Sequence, residues 1–525
     1  MPVYTYPGVY IEEIERGPVP IEGVPTSVAA FLGETERGTT YPTLVTSYKE
    51  YQRWFGDVFD DNKFLPFTVS GFFENGGTEL YVCRIVGTGA VSAQVAAFGD
   101  FAIRTSGPGE WGNRVFAKIE DGTTKKADGS SVGFRVRLAY WRDRVPPFDP
   151  FTPEAANQPA DQQPTYVEDF DDLVADEKSP DFYGKRLPFI DLDKPNTNQG
   201  TESSALGILV RNPGVAPGTA PSNAAQALSG GADDGNGVNV VDFVGDRPND
   251  PQGLSALLLD PFRDVALVYA PAVGADVAKK VVEHCEKQRF RFAVVDAPKG
   301  TGTASQLIPR NTITDSKYGA FYYPWIVTSH PRTGARKLVP PGGHVLGVYA
   351  RSDAERGVFK APANEILRGA LDLEFDTDDA TQGILNPQGV NVTRNFPGRG
   401  IRVWGARTIS SDALWKYVSV RRLFIFIERS IYEGTQWVVF EPNGPALWAR
   451  VTDTIRLFLR TQWRLGALLG RTEDEAFFVS CDRNVTMTQD DILNGRLICE
   501  IGIAPVRPAE FVIFRIFQNT AEAQR

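Results

Sequence analysis

The chain has 525 residues, of which 42% are hydrophobic and 23% charged, with a net charge of −10. That length exceeds what one core serves, so two to four domains are expected, and the acidity disfavours a general attraction to nucleic acid or anionic membrane. No run of about 18 apolar residues occurs, which excludes a spanning helix. Four scattered cysteines without a CxxC pair read as reduced structural thiols rather than a zinc ribbon or disulfide scaffold.

Residues 1–22 read as an arm. Val3, Thr5, Val9 and Ile11 share one side of an extended chain, and Tyr4, Tyr6 and Tyr10 share the other. Pro2, Pro7, Pro18 and Pro20 deny this stretch an interior place in a sheet, so it predicts an edge strand and a tether. The opening MPVYTYPGVY lacks the basic and apolar regions of a secretory signal. From Thr26 the texture is globular, with TSVAAFLGE as a strand, SYKEYQRWFG as a short helix and ELYVCRIV as a strand. Residues 88–236 read as an insertion. Its β-like runs VFAKIED and GFRVRLAYW are followed over 146–235 by Pro-, Asn- and Asp-rich sequence typical of long surface loops or a linker. The body resumes with VALVYAP as a buried strand, ADVAKKVVEHCEKQR as a helix and RFAVVDAP as a second strand, a βαβ pattern that predicts a parallel sheet.

Chemistry rarely announces itself here. The three histidines, His284, His330 and His344, fit no metal spacing, and no GxSxG, GxGxxG or P-loop pattern occurs. The acidic cluster Asp376, Asp378 and Asp379 misses calcium-loop spacing and reads as a solvated turn. The reading is a protein that is not an enzyme and needs no cofactor or metal.

The sharpest feature is the helix expected over 451–470, capped by Thr452 or Asp453 and stopped at Gly470. Val451, Ile455, Phe458, Leu459 and Trp463 form its apolar face; Arg456, Arg460 and Arg464 recur every four residues on another. Two readings stand: a solvated face paired with Glu473 or Asp474, or a docking stripe for an acidic partner. Leu497, Cys499, Ile501 and Ile503 alternate along a further strand, which can form a hairpin with the last one. That last strand, Phe511–Phe517, is apolar on both faces: Phe511, Ile513 and Phe517 on one, Val512, Phe514 and Ile516 on the other. Chain ends are usually exposed, so a segment fit for the middle of a sheet predicts partners on another molecule.

The motifs YPGVYIEEI, TSVAAFLGETERG, APANEILRGALDL, NPQGVNVTRNFPGRGIRVWGARTIS and GRLICEIGIAPVRPAEFVIFRIFQ together resemble the contractile-tail sheath proteins of phages, R-type tailocins and extracellular injection systems. The resemblance covers about residues 1–90 and 240–525. It implies an α/β and α+β multidomain fold: a core over 23–87 and 237–504, an outward β-rich insertion at 88–236, and arms at 1–22 and 505–525. It implies homo-oligomeric hexameric rings stacked around an inner tube protein, with baseplate and tail-terminator or cap proteins at the ends and paralogous sheath subunits as a further option. Neither nucleic acid nor membrane insertion is implied. The implied inter-subunit strands hold Val3, Tyr4, Val9, Tyr10 and Ile11 at the N-terminus and Phe511, Val512, Ile513, Phe514, Ile516 and Phe517 at the C-terminus, beside a local hairpin through Leu497, Cys499, Ile501 and Ile503. Assembly is expected in the bacterial cytoplasm and function in a released particle. A static shell or surface-layer polymer, and an α/β enzyme without a recognised motif, are the rival readings.

Overall fold

A computed structural model of the chain describes residues 20–145, 148–194, 204–248 and 250–515. The chain divides into two compact units. One comprises Thr26–Glu355 and Pro362–Val418, the other Met1–Pro25, Arg356–Ala361 and Ser419–Arg525. The stretch 237–504 contributes to both units, with Arg356–Ala361 and the residues from Ser419 onward in the smaller one.

The larger unit is built on a nine-stranded sheet. From one edge its order is Glu365–Ile366, Gly400–Val403, Val390–Phe396, Gly319–Tyr323, Phe292–Asp296, Leu267–Tyr269, Ala29–Gly33, Leu80–Arg84 and Thr43–Val45. The six strands from Val390–Phe396 to Leu80–Arg84 run parallel. The βαβ expectation is met: the helix Ala275–Gln288 joins two of them and buries Val277, Val281, Val282 and Cys285. Ala29–Gly33 and Phe292–Asp296 are buried at every position, as a parallel strand covered on both faces must be. The short helix falls at Tyr48–Phe55, where Ser47 Oγ accepts from the Glu50 amide and Tyr51, Trp54 and Phe55 are buried.

Two buried helices, Leu65–Glu74 and Gly342–Arg356, cross with their backbones nearly touching. A Cβ at Gly343 would lie 2.4 Å from the Thr68 carbonyl oxygen, and one at Gly347 would lie 2.4 Å from that of Phe72. Backbone cannot yield as a side chain can, so Gly343→Val is expected to cost about 3 kcal/mol or more through overpacking. The checks are soluble yield and the urea midpoint followed by circular dichroism.

The insertion is more ordered than its composition suggested. Residues 146–235 supply Tyr166–Leu173, Phe189–Asp191, Gly207–Arg211 and Ala224–Ala227, four strands rather than loops alone. They complete two four-stranded sheets, one with Gln94–Phe98 and Phe101–Thr105, the other with Val115–Asp121 and Phe134–Tyr140. Phe98, Phe101, Ile103, Val115, Ile119, Val136, Leu138 and Tyr183 belong to one shared core drawn entirely from this segment.

The smaller unit packs the helix Pro445–Arg464 against Leu423 and Ile427 of the helix Val418–Gly434 and against Phe477 and Val479 of a two-stranded sheet. Its cluster also holds Ile21, the inner end of the N-terminal segment.

Candidate functional site: the C-terminal segment and the arginine helix

In the small sheet, Glu500–Ile503 pairs antiparallel with Phe477–Ser480, Phe477 opposite Ile503 and Ser480 opposite Glu500. The hairpin expected between this strand and the last one is thus corrected. Within the chain the partner precedes it, and among the described residues, which end at Arg515, the closing segment forms no strand. Leu497, Cys499 and Ile503 pack against the core of the unit, while Ile501 is more than a third exposed.

The chain is then held for three more residues. The Ala504 amide donates to Ala476, the Ala504 carbonyl accepts from Leu469, and the Val506 amide donates to Ala467. From Pro508 to Arg515, the last of the described residues, there is no secondary structure, and Phe511, Val512, Ile513 and Phe514 are 71%, 67%, 78% and 85% exposed. Four successive large apolar side chains in water are unusual for a soluble surface and mark an interaction site. Ile516 and Phe517 lie outside the described residues, as do Val3, Tyr4, Val9, Tyr10 and Ile11.

The arginine helix begins earlier and ends sooner than 451–470. Gly444 is its N-cap, Pro445 opens it, and Leu465 closes it before Gly466 at φ +87°. Pro445 at the first helical position is the start signal the sequence reading passed over. The apolar face lies as expected, with Val451, Ile455, Phe458 and Leu459 buried and Trp463 partly so. On the other face Glu473 takes two arginines. Arg460 grips it through Nε at 2.7 Å and Nη2 at 3.1 Å, and Arg456 Nε stands 3.6 Å away. The Arg460 hydrogen bond is the main influence holding the Glu473 carboxyl below its ordinary range, with burial opposing it. Arg464 is exposed and makes no ion pair among the described residues. Two of the three cations share one carboxylate, so the local-pairing reading accounts for part of the stripe and leaves excess positive charge on it.

Elsewhere the polar chemistry is internal. Asp378 caps the helix Asp379–Leu385 by accepting from the Thr381 amide at 2.7 Å, and Asp379 pairs with Arg394. His284 Nε2 sits 2.7 Å from Arg291 Nη1; burial and that cation push its pKa down to about 3. A cavity of about 410 Å³ opens where the strand Ala29–Gly33 and the turn after Tyr269 end, lined by Glu34, Lys63, Phe64, Ala272 and Gly274, and in it Lys63 and Glu34 pair with each other. Among the described residues no three His, Cys, Asp or Glu side chains gather to hold a metal, and no helix is long and apolar enough to cross a membrane.

A parallel α/β body and a β insertion with its own core stand beside four exposed apolar side chains at Phe511–Phe514. The phage tail sheath central-domain model matches residues 251–409 and the sheath C-terminal-domain model matches 410–519, together just over half the chain, and the protein belongs to the phage tail sheath family. A Pseudomonas aeruginosa (strain UCBPP-PA14) protein described as a prophage major tail sheath protein is 27% identical over 58% of this chain and 75% of its own. The contracted helical sheath of the anti-feeding prophage is 25% identical with a TM-score of 0.56, over 98% of this chain and 100% of that one. The contracted sheath complex of the extracellular contractile injection system PVC shares the fold at a TM-score of 0.61 and 24% identity, with full coverage of both chains. The protein is a contractile sheath subunit of the phage-tail and injection-system kind.

Proposed function

We propose that the subunit polymerises as stacked hexameric rings around an inner tube and contracts to drive that tube through a target envelope. The observation that carries this is the exposure of Phe511–Phe514 on a chain end whose alternation suits the interior of a sheet. Strand addition to a neighbour would cover those side chains and supply main-chain partners. The arms are the proposed inter-subunit strands, Val3–Ile11 at one end and Phe511–Phe517 at the other. Contraction is then a cooperative shift of rigid bodies between two packings, with the shared strands kept throughout. It cleaves no bond and needs no cofactor. Baseplates resolved with chains of this fold support partners of that class at the sheath end. Inner tube, terminator and paralogous sheath subunits complete the proposed partner set. Assembly takes place in the bacterial cytoplasm, and the finished particle acts after release.

The excess charge of Arg456, Arg460 and Arg464 holds the extended state by facing an acidic tube surface. Changing all three to Glu is expected to abolish extended sheath on tubes while contracted sheath still forms, as read by negative-stain microscopy at moderate salt. Extended particles assembling normally would overturn the assignment of the stripe. Flat sheets or shells, in place of striated hollow tubes, would favour a static polymer.

A further inference from the structure

The register of the small sheet puts two of the four cysteines face to face. Phe477 opposite Ile503 and Ser480 opposite Glu500 fix the pairing, and one step further Cys481 stands opposite Cys499. The Ala504 amide bonds to the Ala476 carbonyl, which makes those two a hydrogen-bonded pair. Alternation along an antiparallel ladder then makes Cys481 and Cys499 a non-hydrogen-bonded pair, the kind whose Cα atoms lie about 4.5 Å apart with side chains closest. That spacing falls in the roughly 4.4–6.8 Å range a disulfide requires. Both side chains turn to the same core, Cys481 within it and Cys499 packed on its margin, and each thiol influences the protonation of the other. Both are free thiols.

We infer that Cys481 and Cys499 form a cross-strand dithiol that closes to a disulfide when the protein meets an oxidising medium. The inference rests on register and packing and stands whether or not the arms are exchanged. Burial, and then the neighbouring Cys481, push the Cys499 thiol up to about 12, so at neutral pH the pair is protonated and reacts slowly. Reduced thiols therefore persist in a reducing cytosol and oxidise only over prolonged exposure. With glutathione disulfide as oxidant, the more accessible Cys499 sulfur displaces one glutathione thiol and carries the other as a mixed disulfide. Cys481 Sγ then attacks Cys499 Sγ and releases the second glutathione. The two protein thiols give up two protons and two electrons, and one glutathione disulfide becomes two glutathione thiols. The new bond staples the two strands at the root of the segment that carries Phe511–Phe514.

The full chain, purified in reductant and transferred to glutathione disulfide without denaturant, tests this. Intact mass should fall by two hydrogen atoms, peptide mapping should join Cys481 to Cys499, and Cys83 and Cys285 should remain alkylatable after denaturation. Amide exchange over 477–481 and 499–503 should slow by about tenfold or more in the oxidised protein. Recovery of four free thiols, a bond involving Cys83 or Cys285, or a glutathione adduct that persists on Cys499 would each overturn the inference.

Discussion

Replacing Phe511, Val512, Ile513 and Phe514 together by serine is expected to abolish polymerisation while leaving the thermal midpoint of the isolated subunit unchanged. Phe511, Val512, Ile513 and Phe514 are exposed in the single chain, so their loss removes no packing from it. In the proposed assembly each would be buried, at about 1.5–3 kcal/mol per side chain, or roughly 6–12 kcal/mol for the four. About six ladder hydrogen bonds would add roughly 0.5–1.5 kcal/mol each. Association costs about 4–15 kcal/mol, so one arm on one neighbour is left with a modest surplus of roughly 5 kcal/mol at mid-range. Stable tubes then require both arms of every copy to engage, and growth should be cooperative with a sharp critical concentration. Sedimentation of the wild type and the four-serine variant across a concentration series checks this.

Glu36→Ala is expected to loosen the insertion by about 3–5 kcal/mol, the usual cost of removing one partner of a buried charge pair. Glu36 is 2% exposed and receives four hydrogen bonds. Tyr140 OH and Arg142 Nε donate to Oε1 at 2.9 Å each; Arg142 Nη2 at 3.2 Å and the Asp57 amide at 2.8 Å donate to Oε2. Tyr140 ends an insertion strand and Arg142 follows it, so one carboxylate ties that segment to the body. Burial, the largest single influence, would raise its pKa, but the Arg142, Asp57 and Tyr140 hydrogen bonds and the Arg142 charge together outweigh it and hold the carboxyl below its ordinary value of 4.5. A carboxyl depressed in the folded state contributes stability above its unfolded pKa and loses it as pH falls through the folded value. The wild type should therefore lose stability below about pH 4.5, and the Glu36→Ala deficit should shrink in the same window. Urea unfolding from pH 7 to pH 3, with proteolysis over 146–163 reporting release of the insertion, measures both effects.

Much of this was legible in the sequence because periodicity and burial agree. The strands Ala29–Gly33, Leu80–Arg84 and Phe292–Asp296 are short apolar runs bounded by turns, and the helices at Tyr48 and Ala275 show one buried stripe each. Tyr166–Leu173 was hidden by its acidity. Glu168 is buried and held by the Ala205 amide and Ser204 Oγ, and Asp169 is paired with Arg135, so polar partners rather than apolar contacts stabilise much of that strand. The partner of Glu500–Ile503 was misjudged because alternation states which face is buried and not which strand lies alongside. The role of Glu473 could be named as a local option from the sequence. That it serves Arg456 and Arg460 together follows only from how the segment after the helix folds back.

The most direct test of strand sharing is amide exchange over residues 511–517, measured on the dispersed subunit and on assembled tubes. The account predicts exchange at nearly unprotected rates in the subunit and strong protection in tubes. Protection already complete in the dispersed subunit, with no change on assembly, would contradict it.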